Sequence, residues 1–249
     1  MGAPTRFTSG ITQDAKWQPL GRIGSPDPFF YSMYSDDFLP YVAGNYTVTA
    51  AGGSVATTAV GGNGGRILFT TGATATNFAE IQMPSASIAN TAGYKLAYLA
   101  RIQLADITNS QLVMGLIQTT ATPTTVTNGI YFTKANASTS LVLNVVSGSA
   151  SQATVTITQP TSGLAINADI DIGFVVDTNG DVLAFVGNQL VGAKPRITSS
   201  VVVGPTAKIA GSSIAALPTG LMNPTLTLIA GTNVAQTMYA DFQYAAMER

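Results

Sequence analysis

Residues 94–106 read YKLAYLARIQLAD, and this stretch decides the fold class. One set of alternate positions is apolar: Leu96, Tyr98, Ala100, Ile102 and Leu104. The positions between them include Lys95, Arg101 and Gln103. Successive side chains of a β-strand point to opposite faces, so a period of two predicts a strand with one buried face and one mostly polar face.

Ten further runs of β-branched, aromatic and aliphatic residues are predicted strands. They are RILFTT (66–71), AEIQM (79–83), QLVMGLIQT (111–119), GIYFTK (129–134), SLVLNVV (140–146), ATVTITQ (153–159), DIDIGFVVD (169–177), VLAFVG (182–187), TLTLIAG (225–231) and QTMYADFQYAAM (236–247). Gly, Asn, Pro and Ser turns separate them, and no segment combines a helical period with capping signals. Many short strands at this spacing predict an all-β, antiparallel two-sheet sandwich or barrel.

Residues 1–35 differ from the rest of the chain. They contain four prolines, scattered glycines and the only tryptophan, with no clear period. This composition predicts an extended N-terminal arm, with Asp36 and Asp37 opening the first strand of a sandwich domain over residues 36–249. Burying a large aromatic side chain is worth roughly 1.5–3 kcal/mol. We therefore expect the aromatic arm to lie against its own domain or against a neighbouring chain.

The charge and composition exclude several classes of function. Charged residues make up 9% of the chain and the net charge is −1, so the clustered Lys and Arg that nucleic acid requires are missing. An anionic membrane would need the same kind of patch, and no run of about 18 apolar residues occurs. The chain has no cysteine, no histidine and two glutamates, Glu80 and Glu248. A Ser-His-Asp triad is impossible, and we predict neither an enzyme nor a cofactor.

The stretch FVVDTNGDVLAF (174–185) spaces Asp177, Asn179 and Asp181 like the start of a calcium loop. An EF-hand needs a glutamate at position twelve, where this chain has Asn188, and flanking helices that the sequence does not predict. Asn-Gly is instead the favoured pair of a two-residue hairpin turn. The predicted register of this hairpin pairs Thr178 with Asp181, Val176 with Leu183, and Phe174 with Phe185. We favour the turn over the metal site.

Two other kinds of site are compatible with the sequence. Asp169 and Asp171 share one strand face and could serve as a pair of glycosidase carboxylates, but the Glu-x-Asp-x-x-Glu motif of laminarinase-type sandwiches is absent. Solvated aspartates near the start of a strand are the favoured interpretation. A sugar-stacking platform could be built from tyrosines, with core packing as the favoured alternative. The candidates are Tyr41, Tyr46, Tyr94, Tyr131 and Tyr239.

Four stretches resemble a known group of proteins: GAPTRFTSGIT (2–12), PDPFFYSMYSDDF (26–38), GIYFTK (129–134) and MYADFQYAAMER (238–249). The group comprises tailed-bacteriophage virion proteins that are encoded among head-assembly genes, and the similarity extends over most of the chain. The resemblance implies a concanavalin-like jelly-roll sandwich and a role as a capsid decoration, or cement, protein. Under this hypothesis the arm contacts the capsid through Pro4, Thr5, Arg6, Phe7, Trp17, Phe29, Phe30 and Tyr31.

The resulting expectation is a structural virion protein on the outer capsid surface, made in the host cytoplasm. Its expected partners are the major capsid protein and copies of itself in a homotrimer, without nucleic acid or membrane. The main alternative is a fibre, spike or lectin-like domain that adheres to host glycans. A degraded hydrolase is a third hypothesis, and it depends on Asp169 and Asp171.

Overall fold

Two antiparallel sheets pack face to face, as the alternating strands predict. The computed structural model describes residues 31–38, 41–58, 65–158, 164–187 and 206–249. Helical structure in these ranges is limited to two short 3-10 segments, Ala43–Asn45 and Gly211–Ser213. Nowhere in them is there a helix with the length and hydropathy needed to span a bilayer. The predicted all-β sandwich is confirmed.

Eight of the described strands form the larger sheet. These are β1 (Tyr31–Asp36), β3 (Val55–Thr58), β4 (Ile67–Thr70), β6 (Leu96–Leu104), β11 (Asp169–Val176), β12 (Val182–Val186), β13 (Ala207–Ile209) and β15 (Thr237–Glu248). Their order is β13-β12-β11-β6-β15-β4-β3, and β1 also pairs with β15. The long β15 thus holds β4 along its first half and β1 along its second half.

Seven further described strands form the smaller sheet. They are β2 (Thr47–Ala50), β5 (Phe78–Gln82), β7 (Ser110–Ile117), β8 (Gly129–Lys134), β9 (Leu141–Ser147), β10 (Ala150–Ile157) and β14 (Asn223–Ala230). Their order is β10-β9-β8-β7-β14-β5-β2. Neighbours in this sheet are not consecutive in the chain at β7-β14-β5-β2, because the chain crosses repeatedly between the two sheets. Such crossing is typical of a jelly roll.

The core lies between the inner faces of the two sheets. Each of the five alternate apolar residues of β6 is at most 1% exposed and belongs to this core, as predicted. Tyr98 also connects the sheets: its hydroxyl donates to the Thr225 carbonyl oxygen (3.2 Å) and accepts from the Gln243 amide (3.1 Å). The rings of Tyr98 and Phe174 stack with centroids 5.8 Å apart. Aromatic packing therefore joins β6 and β11 at the centre of the molecule.

The structure corrects two details of the predicted chain path. Asp36 was expected to open the first strand, but it is the last residue of β1, which begins within the predicted arm at Tyr31. Its carboxylate accepts the backbone N–H of Phe38 (2.6 Å) and the hydroxyl of Tyr46. Asp36 therefore braces the corner where the chain leaves the larger sheet.

The β11–β12 hairpin is the second correction. Its loop has three residues, Thr178, Asn179 and Gly180, so the register differs by one from the prediction. The pairs are Val176 with Val182, Val175 with Leu183, and Phe174 with Ala184. Gly180 takes a positive φ of 79°, which is typical of a three-residue hairpin that ends in a left-handed glycine.

Candidate functional site

Seven of the eight predicted arm contacts lie outside the described residues: Pro4, Thr5, Arg6, Phe7, Trp17, Phe29 and Phe30. The eighth, Tyr31, is the first residue of β1 and pairs with Glu248 of β15. Its side chain is 6% exposed, and burial raises the pKa of its phenol above the ordinary value. Tyr31 is thus held by its own domain at the point where residues 1–30 meet the sandwich.

The predicted pair of aspartates lies in an ion-pair network on the outer face of the larger sheet. Asp171 is fully buried and receives two hydrogen bonds from Arg101, at 2.7 Å from Nε and 3.1 Å from Nη2. Asp169 pairs with Arg66 at 2.8 Å, and Asp241 lies 3.7 Å from both arginines. The hydrogen bonds with Asp171 raise the pKa of Arg101. Both carboxylates therefore neutralise arginines.

The calcium-like stretch is a hydrogen-bonded turn. The Asp177 carboxylate accepts the backbone N–H groups of Asn179 (2.9 Å) and Asp181 (3.0 Å). Asp181 pairs with Lys208 and accepts the N–H of Gly211 (2.7 Å), which together lower its pKa. The described ranges contain no group of three acidic side chains that could hold a metal ion.

The outer face of the smaller sheet carries a polar cluster that the sequence analysis did not single out. Loop 118–128, between β7 and β8, contacts this face. The amide of Asn223 donates to the Thr119 hydroxyl (2.7 Å), and the side chain of Gln82 accepts from the Thr120 N–H (3.3 Å). The Gln82 amide also donates to the Thr225 hydroxyl (2.9 Å). We call Glu80, Gln82, Asn223, Thr225 and Thr227 the polar cluster, and every member is fully buried.

Glu80 is the titratable member of the polar cluster. One carboxylate oxygen accepts the Thr227 hydroxyl at 2.7 Å, whereas Oε1 is buried without a hydrogen-bond partner. Burial raises the pKa of Glu80 to about 7, and the hydrogen bond from Thr227 opposes this rise. The carboxyl group is therefore divided between its neutral and charged forms near neutral pH. The Asn223 Oδ1 atom is likewise buried and unpaired.

A shallow cavity of about 200 Å³ lies farther along the same face. Its lining includes Tyr131, Gln111, Thr124 and Ile229. Tyr131 lies in β8 and is half-buried. The cavity is smaller than the roughly 300–1,000 Å³ of ordinary ligand pockets, and its lining combines one aromatic ring with several hydrogen-bonding side chains.

The five tyrosines proposed as a sugar platform do not form one surface. Tyr46 is buried and stacks with the half-buried Tyr41 (ring centroids 5.5 Å apart) beside the corner formed by Asp36. Tyr131 lies in the smaller sheet and Tyr239 in the larger one, whereas Tyr94 is exposed in a turn. Only Tyr131 of the five lies at the cavity described above.

Sequence reasoning also missed a buried lysine at the end of β8. Lys134 is 1% exposed, and its amine donates to the carbonyl oxygens of Ser110 (2.5 Å) and Ala135 (3.2 Å). Burial lowers the pKa of Lys134 to about 8. The Ser110 hydroxyl donates to the backbone carbonyl oxygen of Asp106. The alternation of GIYFTK did carry a signal, since Lys134 follows the buried Ile130 and Phe132 at spacings of two.

Comparisons with known proteins identify the fold. No protein-family model and no curated protein sequence matches the chain. Similar solved structures include an endo-1,3-β-glucanase from Streptomyces sioyaensis, with 11% identity and a TM-score of 0.58 over 89% of this chain and 98% of that one. The Emp47p carbohydrate recognition domain has 12% identity and a TM-score of 0.57, over 89% and 98% of the two chains.

A β-glucanase from Bacillus licheniformis gives 11% identity and a TM-score of 0.56, over 86% of this chain and 97% of that one. A Shewanella oneidensis protein of unknown function has 14% identity and a TM-score of 0.57, over 88% of this chain and 87% of that one. At these identities the likeness establishes the concanavalin-like sandwich and nothing further. The neighbours include both enzymes and a carbohydrate-recognition domain, so the fold by itself assigns no activity.

Proposed function

We propose that the chain is a structural virion protein that decorates the outer surface of a phage head and stabilises it. The proposal starts from the sequence resemblance. The observation that carries it further is the antiparallel pairing of β1 with β15, from Tyr31–Glu248 to Asp36–Gln243. Two of the stretches that define the resemblance thus pair as neighbouring strands, and residues 1–30 lead into the domain at Tyr31.

We infer a structural, non-catalytic role from the surroundings of Asp169, Asp171 and Glu80. Asp169 and Asp171 are paired with arginines, and the groups that shift the pKa of the buried Glu80 include no second carboxylate. Glycoside hydrolysis by sandwich enzymes ordinarily needs two carboxyl groups on either side of the scissile bond. The described residues offer no such pair beside Glu80.

The proposed partners are the major capsid protein and further copies of the chain. A capsid presents the same site many times, so modest contacts by a homotrimer gain strength through avidity. Large aromatic side chains are the usual anchors of such contacts, and Phe7 and Trp17 are the candidates in the arm. A mass of three chains in analytical ultracentrifugation would support the trimer, and a monomer would contradict it.

The test is binding to purified heads that were assembled without the protein. We expect the full-length variant Phe7→Ala/Trp17→Ala to cosediment with these heads about tenfold more weakly than the unaltered chain. The matched control, Tyr94→Ala/Ile166→Ala, removes two exposed apolar side chains of the sandwich and should bind normally. Equal binding by both variants, or no binding by the unaltered chain, would contradict the proposal.

The cavity beside Tyr131 favours a second candidate function, adhesion to a host glycan. A sugar ring could stack on Tyr131 and form hydrogen bonds with Gln111 and Thr124, which line the same cavity. Tyr131→Ala should then abolish saturable signal on a glycan array, whereas Tyr94→Ala should leave it unchanged. Glycan binding without affinity for heads would replace the first proposal with this one.

A further inference from the structure

Loop 118–128 lies against the outer face of the smaller sheet at two places. Near its start, the Thr119 hydroxyl accepts a hydrogen bond from the Asn223 amide (2.7 Å). At its middle, Pro123 lines the cavity together with Val113 of β7. Pro123 is buried, whereas the other residues from 119 to 125 are exposed or half-buried. The loop is thus docked on this face by one buried side chain and a few hydrogen bonds.

Strand pairing places Glu80 close to both of these contacts. Val113 lies directly opposite Thr227, and Thr227 lies directly opposite Glu80. Two strand spacings, roughly 10 Å, therefore separate Val113 from Glu80. Gln82, which accepts the N–H of Thr120 from the loop, follows Glu80 by two residues on the same face of β5. Opening of the loop would uncover both neighbours of Glu80 on this face.

Few interactions hold loop 118–128 in this position. Gln82 is linked to it by two long hydrogen bonds, 3.3 Å from the Thr120 N–H and 3.4 Å to the Gln118 carbonyl oxygen. The loop sequence, QTTATPTTVTN, has no charged residue and therefore no ion pair to break. Segments with few buried contacts open locally at a low free-energy cost. The loop can thus open while the sheet beneath it stays folded.

The described residues around Glu80 offer no charge that would compensate its carboxylate. The facing residues of β2 and β14 are Thr49 and Thr227. Tyr131 of β8 is a phenol whose pKa burial raises above its ordinary value of 10, so it stays neutral at pH 8. Lys134 also lines the cavity, but its amine donates to backbone carbonyl oxygens and does not contribute to the pKa shift of Glu80. Water is therefore the remaining means of stabilising the charge.

We propose that loop 118–128 is a pH-sensitive flap, closed over this face while Glu80 is neutral and open far more often once Glu80 is ionised. The Oε1 atom of Glu80 is buried without a hydrogen-bond partner, and opening would let water donate to it. Neither candidate function is required for this flap to operate.

The pKa of Glu80 sets the pH range of the flap. Burial raises this pKa from 4.5 to about 7, so the closed form binds the proton more tightly than a hydrated form does. Closure therefore weakens as pH rises from 4.5 to 7, and the change is complete above pH 7. A return to the ordinary pKa on opening would raise the opening equilibrium by roughly 300-fold, at tenfold for each pKa unit.

The test uses the absence of cysteine from the chain, so that an introduced thiol reports alone. Val113→Cys places the thiol at the cavity beside Pro123, in the full-length chain with and without Glu80→Gln. At pH 8 the thiol should react with dithiodipyridine about tenfold or more faster in the chain that keeps Glu80. At pH 4 the two rates should agree. Comparison at equal pH cancels the effect of pH on the thiol itself.

A control separates opening of the loop from unfolding of the whole sandwich. Ala79→Cys places the thiol on the opposite face of β5, in the core. Local opening exposes little surface, so the rate for Val113→Cys should not change in low urea, whereas the slower rate for Ala79→Cys should rise with urea. Rates that rise in parallel would assign the reaction to global unfolding and overturn the proposal. Equal rates for Val113→Cys with Glu80 and with Glu80→Gln at pH 8 would also overturn it.

Hydrogen exchange gives a measurement without introduced cysteine. At pH 8 and without urea, the backbone amides of residues 118–128 should exchange faster in the natural chain than in Glu80→Gln, as followed by mass spectrometry of this segment. At pH 4 the segment should exchange equally in both proteins. Equal exchange at pH 8 would contradict the proposal.

Discussion

At the scale of single residues, Glu80 couples the stability of the sandwich to pH. Its pKa of about 7 in the folded state lies above the ordinary value of 4.5 because the buried carboxylate is poorly solvated. Between these two values the folded chain binds more protons than the unfolded chain. The free energy of unfolding therefore falls as pH rises from 4.5 to 7, and the fall is complete above pH 7.

We predict that Glu80→Gln removes this pH dependence. The amide keeps an acceptor for the Thr227 hydroxyl and has no charge to bury. At pH 8 the variant should be more stable than the natural chain by about 3 kcal/mol, from a shift of roughly 2.5 pKa units at about 1.4 kcal/mol each. At pH 4 the two proteins should agree closely. Urea unfolding at both pH values measures this, and parallel pH profiles would show that Glu80 is not the group responsible.

A substitution at a neighbour of Glu80 in the polar cluster tests what sets the pKa of its carboxyl group. Thr227→Val removes the hydroxyl that donates to Glu80, and this hydrogen bond holds the pKa down. We expect the midpoint of the stability change to move to higher pH, with little change in the packed volume. A midpoint that moves to lower pH in the same urea series would contradict the assigned cause.

The two aspartates first considered for catalysis should differ in their effect on stability. Asp171 is fully buried against Arg101, so Asp171→Asn leaves a partly buried guanidinium without its bidentate partner. We expect a loss of about 3 kcal/mol. The Asp169 side chain is 40% exposed, and Asp169→Asn should cost less than about 1 kcal/mol. Thermal unfolding of both variants gives the comparison, and equal losses would contradict the assigned burial.

At the scale of strands, Gly173 sets the close approach of β11 to β6. A Cβ atom at this position would lie 2.5 Å from the Tyr98 carbonyl oxygen and 2.8 Å from Leu99 Cδ1. Gly173→Ala should therefore destabilise the fold by about 1–3 kcal/mol, as overpacking does. Gly44→Ala, where a Cβ would meet nothing within 4 Å, should change stability by less than about 0.5 kcal/mol. Denaturant midpoints measure both, and a neutral Gly173→Ala would mean that the two strands can separate.

Strand positions were predicted correctly where the strand has one apolar face. The prediction failed where side-chain hydrogen bonds set a loop length or where the strand has no apolar face. The alternation of YKLAYLARIQLAD placed β6 correctly, because burial against the other sheet outweighs every local preference. The β11–β12 turn was placed correctly but with the wrong loop length. The Asp177 carboxylate, by accepting two backbone N–H groups, favours three loop residues over the two that Asn-Gly alone predicts. Strand β1 was missed because only Tyr31 of its six residues is buried, so YSMYSD has no apolar face with a period of two.

At the scale of the whole molecule, few charges are available for long-range attraction. The net charge is −1, and several of the described charged side chains neutralise one another in the Arg66, Arg101 and Asp241 network. Under the proposed function we predict that affinity for heads changes less than about threefold between roughly 50 and 500 mM NaCl, since screening acts on exposed charges. Sedimentation across this salt range tests it, and a steep decline would indicate an electrostatic interface instead.

The polar cluster shows why sequence alone predicts the fold better than the site. The pattern AEIQM correctly directs Ala79 and Ile81 to the core, which leaves Glu80 on the outer face. Outer faces are ordinarily wet, so nothing in the local sequence predicts a buried carboxyl group there. Burial of this face is a tertiary property: loop 118–128 contacts it nearby, and only the folded molecule brings that loop to β5 and β14.

The pairing of β1 with β15 has a mechanical consequence. Hydrogen bonds in an antiparallel pair run across the strands, so tension applied to Tyr31 along the axis of β1 loads the whole six-residue ladder in shear. Tension across the sheet would instead open the rungs one after another. Under the proposed function, a tether that leaves the domain along β1 would therefore hold against an expanding shell at forces that would peel the same six residues away sideways.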